Sequence, residues 1–163
     1  MSIIYKPQKE MELFAPFGPT MGYFRMPYEL VEKLNSKMSD KLKSYADNLV
    51  GKVSEELAFD EEILAIAQKG LGQFVGQYQA YTDFRNSMGG KKPDTENFDY
   101  GLQIVSGWFV RQFENEYNPL HIHTGSRLSC VGYLKLPEGI EEEWEEDYKD
   151  HHPANGHIQF AHG

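Results

Sequence analysis

A change of hydrophobic period partway along the chain constrains its fold more than any other feature. Leu30, Leu34, Met38, Leu42, Tyr45 and Leu49 step by three or four residues, which places apolar side chains on one stripe of a helix. The spacing predicts a helix from Pro27 to about Val50. Pro27 fits its first turn, where a missing N–H costs nothing, and Gly51 is a natural stop. A second helix is predicted after Asp60, which can cap it while Glu61 and Glu62 favour the first turn and Phe59 staples onto Leu64. Its stripe is Ile63, Ala67, Leu71, Phe74 and Tyr78; Gly70, Gly72 and Gly76 weaken its propensity, so packing must hold it. From Asp99 onward the pattern turns to partial alternation, in "DYGLQIVSGWFVRQFEN", "PLHIH", "RLSCVGYLKLP" and "GHIQFAHG", and reads as strands.

The first 26 residues read as short extended pieces broken by turns, with "FAPFGPTMG" as the main punctuation, and "NSMGGKKPDTEN" connects the two halves. The layout is a single α+β domain over residues 1–163, helical at about 27–88 and β at about 99–163, with helices on one face of a largely antiparallel sheet. A chain of 163 residues with 40% hydrophobic content has enough apolar material for one core.

Charge and cysteine usage narrow the function classes. A net charge of −9 argues against nucleic-acid binding, which needs clustered Lys and Arg. No apolar run is long enough to span a bilayer, and the N-terminus lacks a secretory signal pattern. Cys130 is the only cysteine, so no intrachain disulfide forms, which suits a reducing, cytoplasmic compartment. Within an apolar strand it is expected to be a buried structural thiol. The acidic run from Glu138 to Asp150 holds eight carboxylates against Lys149 alone. It lacks the order of a calcium loop and is expected to be a solvated connection, with His151 and His152 facing water. Arg111 and Gln112 are expected on a strand surface, with lining of a substrate cleft as the alternative.

"NPLHIHTG", residues 118–125, is the stretch that points to chemistry. On a strand, His121 and His123 would point to the same face with Cα atoms about 6.5–7 Å apart, close enough to converge on one ion. The spacing alone is a weak signal, and its bland counterpart is a pair of polar strand residues. A cupin needs a glutamate shortly after the second histidine, where Arg127 and Leu128 stand; a nucleotide-hydrolase histidine triad needs a third histidine where Gly125 stands. A zinc site would need a third ligand from elsewhere.

The wider stretch "FENEYNPLHIHTGSRLSCVGYLKLP" resembles the metal-binding core of the iron(II)- and 2-oxoglutarate-dependent oxygenases. It is nearest to the prolyl-hydroxylase-like branch found in marine bacteria and their phages. The resemblance covers residues 101–163 well and the N-terminal half only as a helix-then-barrel layout. It implies an antiparallel double-stranded β-helix (a jelly-roll), a ferrous ion, 2-oxoglutarate as cosubstrate, and hydroxylation of a C–H bond in a small-molecule or peptidyl substrate. His121 falls on the first iron ligand, and His123 falls where most members have a carboxylate. Tyr133 falls on the tyrosine that hydrogen-bonds the distal carboxylate of 2-oxoglutarate. The family's distal histidine and its carboxylate-binding base have no counterpart here, since no Lys or Arg follows Lys149. His157 and His162 precede the segment that would carry that histidine. The resemblance therefore implies a barrel incomplete at the C-terminus, an open edge at "GHIQFAHG", and an N-terminal fragment of a longer oxygenase that by itself is expected to bind iron poorly and turn over little or no 2-oxoglutarate. The competing readings are a non-catalytic β-barrel binding or assembly module without a working iron site, and a zinc or nickel site of structural use. Both histidines and Tyr133 are expected to meet in one cavity on the concave face of a sheet.

Overall fold

The computed structural model describes residues 11–15, 18–86, 101–141 and 156–161. Its elements follow the predicted change of period only in part. Strand β1 (Glu12–Phe14) and strand β2 (Met21–Tyr23) form an antiparallel hairpin, Glu12 opposite Tyr23. Helix α1 (Tyr28–Lys37) follows, then strand β3 (Glu55–Ala58), the long helix α2 (Glu61–Asn86) and strand β4 (Trp108–Arg111). Strands β3 and β4 pair antiparallel, with Leu57 opposite Phe109 and Ala58 opposite Trp108. The architecture is mixed α and β, with two two-stranded sheets among the described residues.

Helix α1 is much shorter than its apolar stripe suggests. Pro27 stands just before it, and the Pro27 carbonyl accepts from the N–H groups of Leu30 and Val31. The helix ends at Lys37, where the sequence "NSKMS" offers the backbone other partners. Ser36 donates its hydroxyl to the Lys33 carbonyl, and the Met38 N–H closes a tight turn onto Asn35. Short polar side chains compete in this way with helical bonding. Beyond the turn, residues 43–45 add to the edge of β3: Tyr45 N–H donates to the Glu56 carbonyl and Ala58 N–H to the Lys43 carbonyl, each at 2.8 Å. The stripe beyond Met38 therefore serves a sheet edge, and a 3₁₀ turn at Ala46–Asn48 completes the segment. Gly51 ends no helix; its role lies elsewhere.

Helix α2 begins as its sequence predicts. The Asp60 carboxylate accepts from the Ile63 N–H at 2.9 Å, satisfying one of the free donors of the first turn. Ile63, Ala67 and Phe74 of the stripe are buried, and Leu71 is partly buried against the same core. Tyr78 donates its hydroxyl to the Thr20 carbonyl at 2.9 Å, which ties the hairpin to the helix. Phe24 stacks on Phe74 at 3.8 Å beside it. Phe59 packs on Phe109, with ring centroids 4.6 Å apart, so this ring serves the core beside the sheet. Leu30, Leu34, Ile63, Ala67 and Phe109 make the central cluster; Ile63 is only 1% exposed.

The β half departs most from expectation. Of the described part of "DYGLQIVSGWFVRQFEN" only Trp108–Arg111 enters a ladder, and the described parts of "PLHIH", "RLSCVGYLKLP" and "GHIQFAHG" form no strand. Alternation marks a segment that can be a strand; a strand exists only where another backbone takes its hydrogen bonds. Among the described residues no backbone–backbone hydrogen bond involves residues 118–136, and the sheets found there are two-stranded. Ile122 is 85% exposed as a result. Cys130, expected to be buried, is exposed for the same reason. Arg111 pairs with Glu55 across the ladder at 2.7 Å as a strand-surface residue, whereas Gln112 lies just past β4 and donates to the Glu116 carbonyl. Glu142 to Asp150 of the acidic run, together with His151, His152 and His162, lie outside the described residues. No helix among the described residues is long and apolar enough to cross a membrane.

Candidate functional site

The path from β4 to the histidines is fixed at its start. A turn from Phe113 to Glu116 follows the strand, with Asn115 at φ 61°, a left-handed position that asparagine tolerates better than most residues. The Glu116 carboxylate then joins both sides of the turn. One oxygen accepts from the Ser54 N–H at 3.0 Å and the other from the Phe113 N–H at 2.9 Å. The Ser54 bonding, followed by the Phe113 N–H, holds the Glu116 carboxyl below its ordinary pKa, because donors aimed at a carboxylate favour its charged form. Nearby Glu56 on β3 is 6% exposed, and its carboxyl is pushed up, first by burial and then by the charge of Glu116.

Tyr117 and Lys52 then exchange both backbone bonds, at 2.9 and 3.1 Å. Gly51 sits beside this bridge at φ 135°. A Cβ there would lie 2.8 Å from the Tyr117 carbonyl oxygen and 2.5 Å from Oδ1 of Asn118. The glycine is therefore required by both backbone conformation and close approach. It lets the chain leave the sheet immediately before "NPLHIH".

Here the two predicted ligands converge. Nε2 of His121 lies 3.1 Å from Nε2 of His123, and Nδ1 of His121 lies 2.8 Å from the Pro119 carbonyl oxygen. A carbonyl can only accept, so Nδ1 of His121 carries the proton and its Nε2 presents a lone pair. In the neutral pair, His123 donates its Nε2–H to that lone pair. A metal would displace this hydrogen and bind the other tautomer of His123. At 3.1 Å apart, the two nitrogens are close enough for one ion to be held by both. An outer hydrogen bond that fixes a histidine's tautomer is also the usual support of a metal-binding imidazole. The donor set fits a divalent transition metal.

The setting differs from the expected concave sheet face. Neither histidine lies on a strand, and both are exposed. Among the described residues no group of three His, Cys, Asp or Glu side chains is placed to hold an ion. His123 is placed by rings instead. It stacks on Trp108, with centroids 5.9 Å apart and planes at 17°, and Trp108 stacks in turn on Tyr45 at 5.1 Å and 19°.

Tyr133 is about half exposed, and partial burial pushes its phenol pKa up. Among the described residues it makes no hydrogen bond or ring contact with either histidine. The structure thus brings two of the three predicted residues together. Sequence reasoning missed Gly51, Trp108, Pro119 and Glu116. Of these only Pro119 carried a local signal, as the fixed turn immediately before the pair.

Comparison of the chain with protein-family models, curated proteins and solved structures returns no match.

Proposed function

We propose that this chain carries the metal centre of an iron(II)- and 2-oxoglutarate-dependent oxygenase, with His121 and His123 as two ligands of the ferrous ion. The observation that carries the reading is the 3.1 Å approach of the two Nε2 atoms, with Nδ1 of His121 committed to Pro119. The resemblance of "NPLHIHTGSRLSCVGYLKLP" to that family's core agrees with it. When bound, the metal supplies the redox chemistry, coupling oxidation of 2-oxoglutarate by O₂ to hydroxylation of a C–H bond in a small molecule or peptide side chain.

The chain's own residues act as follows. The Pro119 carbonyl holds the His121 tautomer, so this ligand needs no proton shift before binding a cation. His123 would hold the ion through Nε2 in the tautomer that carries its proton on Nδ1. Tyr133, with its pKa raised by partial burial, keeps its proton at neutral pH and donates to the distal carboxylate of 2-oxoglutarate. A double-stranded β-helix scaffold and a cytoplasmic, reducing setting belong to the same reading.

Anaerobic titration of the full chain with ferrous ion and then 2-oxoglutarate tests it. With ferrous ion in large excess, because the chain is expected to bind iron poorly by itself, the expected result is a weak visible charge-transfer band, lost in His121→Ala and in His123→Ala. A band of equal strength in both variants, or no band in the unsubstituted chain, overturns the proposal.

A second reading, a non-catalytic binding or assembly module, draws on a different observation. Leu120, Ile122, Val131 and Phe160 are each more than 60% exposed, an apolar content that marks association surfaces when contiguous. Normal 2-oxoglutarate binding at the histidine pair would exclude it.

A further inference from the structure

We propose that Trp108 is a positioning residue for the metal-binding pair: its indole seats the His123 imidazole where Nε2 meets Nε2 of His121. This inference rests on the reading that the pair holds a divalent metal.

Three observations support it. The first is that His123 has no backbone tie, since no backbone–backbone hydrogen bond among the described residues involves 118–136. The second is that His121 has its own anchor in Pro119, whereas the described partners of His123 are the rings of Trp108 and His121 alone. The third is that Trp108 is itself well held. It lies in β4 opposite Ala58 of β3, half-buried, with Tyr45 stacked against it. Tyr45 is tied to the same strand through its N–H bond to Glu56. Sheet, indole and imidazole therefore form one continuous stack that ends at the ligand nitrogen.

A free imidazole samples several rotamers, and only one brings Nε2 to its partner. The apparent affinity of a site falls in proportion to the fraction of time it is competent. The indole face also favours an imidazole made electron-poor by a bound cation. Both effects act on the metal-bound state, and neither requires Trp108 to touch the metal.

The test uses the full chain and cobalt(II) alone, with affinity read by titration calorimetry and coordination read from the visible d–d absorption. The unsubstituted chain is expected to bind, and His123→Ala to lose the absorption. Trp108→Leu should weaken cobalt by about 3- to 10-fold, the range expected from losing one ring stack and its rotamer restraint, and should alter the d–d band. Trp108→Phe should restore affinity to within about 2-fold, because a ring is what the imidazole needs. Trp108→Met, which fills volume without a ring, should behave as the leucine variant and carries the comparison should that variant fail to fold.

Cobalt affinity unchanged in Trp108→Leu or Trp108→Met, while His123→Ala loses it, overturns the positioning role and leaves the metal pair standing. Trp108→Phe as weak as Trp108→Leu also overturns it, since only general packing would then be at stake. No cobalt binding by the unsubstituted chain overturns the pair and this inference together.

Discussion

Replacing Gly51 by alanine tests how the candidate site is attached to the fold. The residue sits at φ 135°, a conformation that costs an L-residue about 1–3 kcal/mol. The new methyl would also stand 2.8 Å from the Tyr117 carbonyl and 2.5 Å from the Asn118 side chain. Asn118 Oδ1 can swing away at small cost. The Tyr117 carbonyl cannot, because it accepts the Lys52 N–H at 2.9 Å, and forcing it aside adds about 1 kcal/mol for the hydrogen bond. Against this, alanine stiffens the unfolded chain and returns about 0.4–1 kcal/mol. The net expectation is a loss of about 1–3 kcal/mol. With an m-value of about 1–3 kcal/mol/M, the urea midpoint should fall by roughly 1 M. Two other glycines calibrate the measurement. Gly125 has φ 81° but open space around its Cβ, so alanine there should cost only the conformational part, about 1 kcal/mol. Gly101 has neither constraint and should change by less than about 0.5 kcal/mol. The order Gly51, Gly125, Gly101 in urea denaturation supports the Lys52–Tyr117 bridge as the attachment point. A Gly51→Ala midpoint equal to that of Gly101→Ala would refute it.

Asp60→Ala should destabilise α2 by about 1 kcal/mol through loss of its N-cap, read by thermal denaturation; no change would mean the bond to Ile63 contributes nothing. The two coupled carboxylates should move in opposite directions with pH. Glu116 has a lowered folded pKa, so its stabilisation is present above its unfolded pKa and is lost as pH falls through the folded value. Glu56 has a raised folded pKa, so its penalty is absent below the unfolded value and grows as pH rises through the folded one. Glu116→Gln should therefore lower stability at neutral pH and flatten the acid limb, while Glu56→Gln should raise stability at neutral pH. The same sign for both in urea titrations across pH 3–8 would refute this account. Tyr133→Phe should weaken 2-oxoglutarate by about 1–2 kcal/mol, the worth of a hydrogen bond to a charged group; unchanged affinity by calorimetry removes Tyr133 from the site.

Where local signals and packing agree, the fold was legible in the residues alone. Asp60 caps α2, and the stripe from Ile63 to Phe74 meets the core, because a cap and a long amphipathic run need only their own segment plus one apolar neighbour. The stripe of α1 was misleading past Met38 for an equally physical reason. Leu42, Tyr45 and Leu49 sit at helical spacing, yet the backbone at Lys43 and Tyr45 found partners in β3 and that before Leu49 closes a 3₁₀ turn. Strand pairing depends on a segment distant in sequence, and no window over residues 38–50 contains it. The β half shows the same limit more strongly. "LSCVGYL" has the composition of a strand, but composition supplies no partner for its N–H and C=O groups.

The histidine pair was legible for a reason that did not hold. Strand alternation would have brought His121 and His123 to one face with Cβ atoms roughly parallel, leaving the ring nitrogens to find each other by rotation. The observed convergence has three separate causes, none of them a strand. The Lys52–Tyr117 bridge fixes where the segment leaves the sheet, the Pro119 carbonyl orients the first ring, and Trp108 seats the second. Each cause acts on a different bond of the same short loop. Loss of one should therefore loosen the 3.1 Å approach without abolishing it, and loss of two should matter more than the sum, since either remaining support then restrains a ring whose partner is free. Gly51→Ala combined with Trp108→Leu is the decisive pair. Their combined effect on cobalt(II) affinity should exceed the sum of the two single effects by more than the about 0.5 kcal/mol within which independent sites usually add. Strict additivity would mean that the loop is held by something other than these supports.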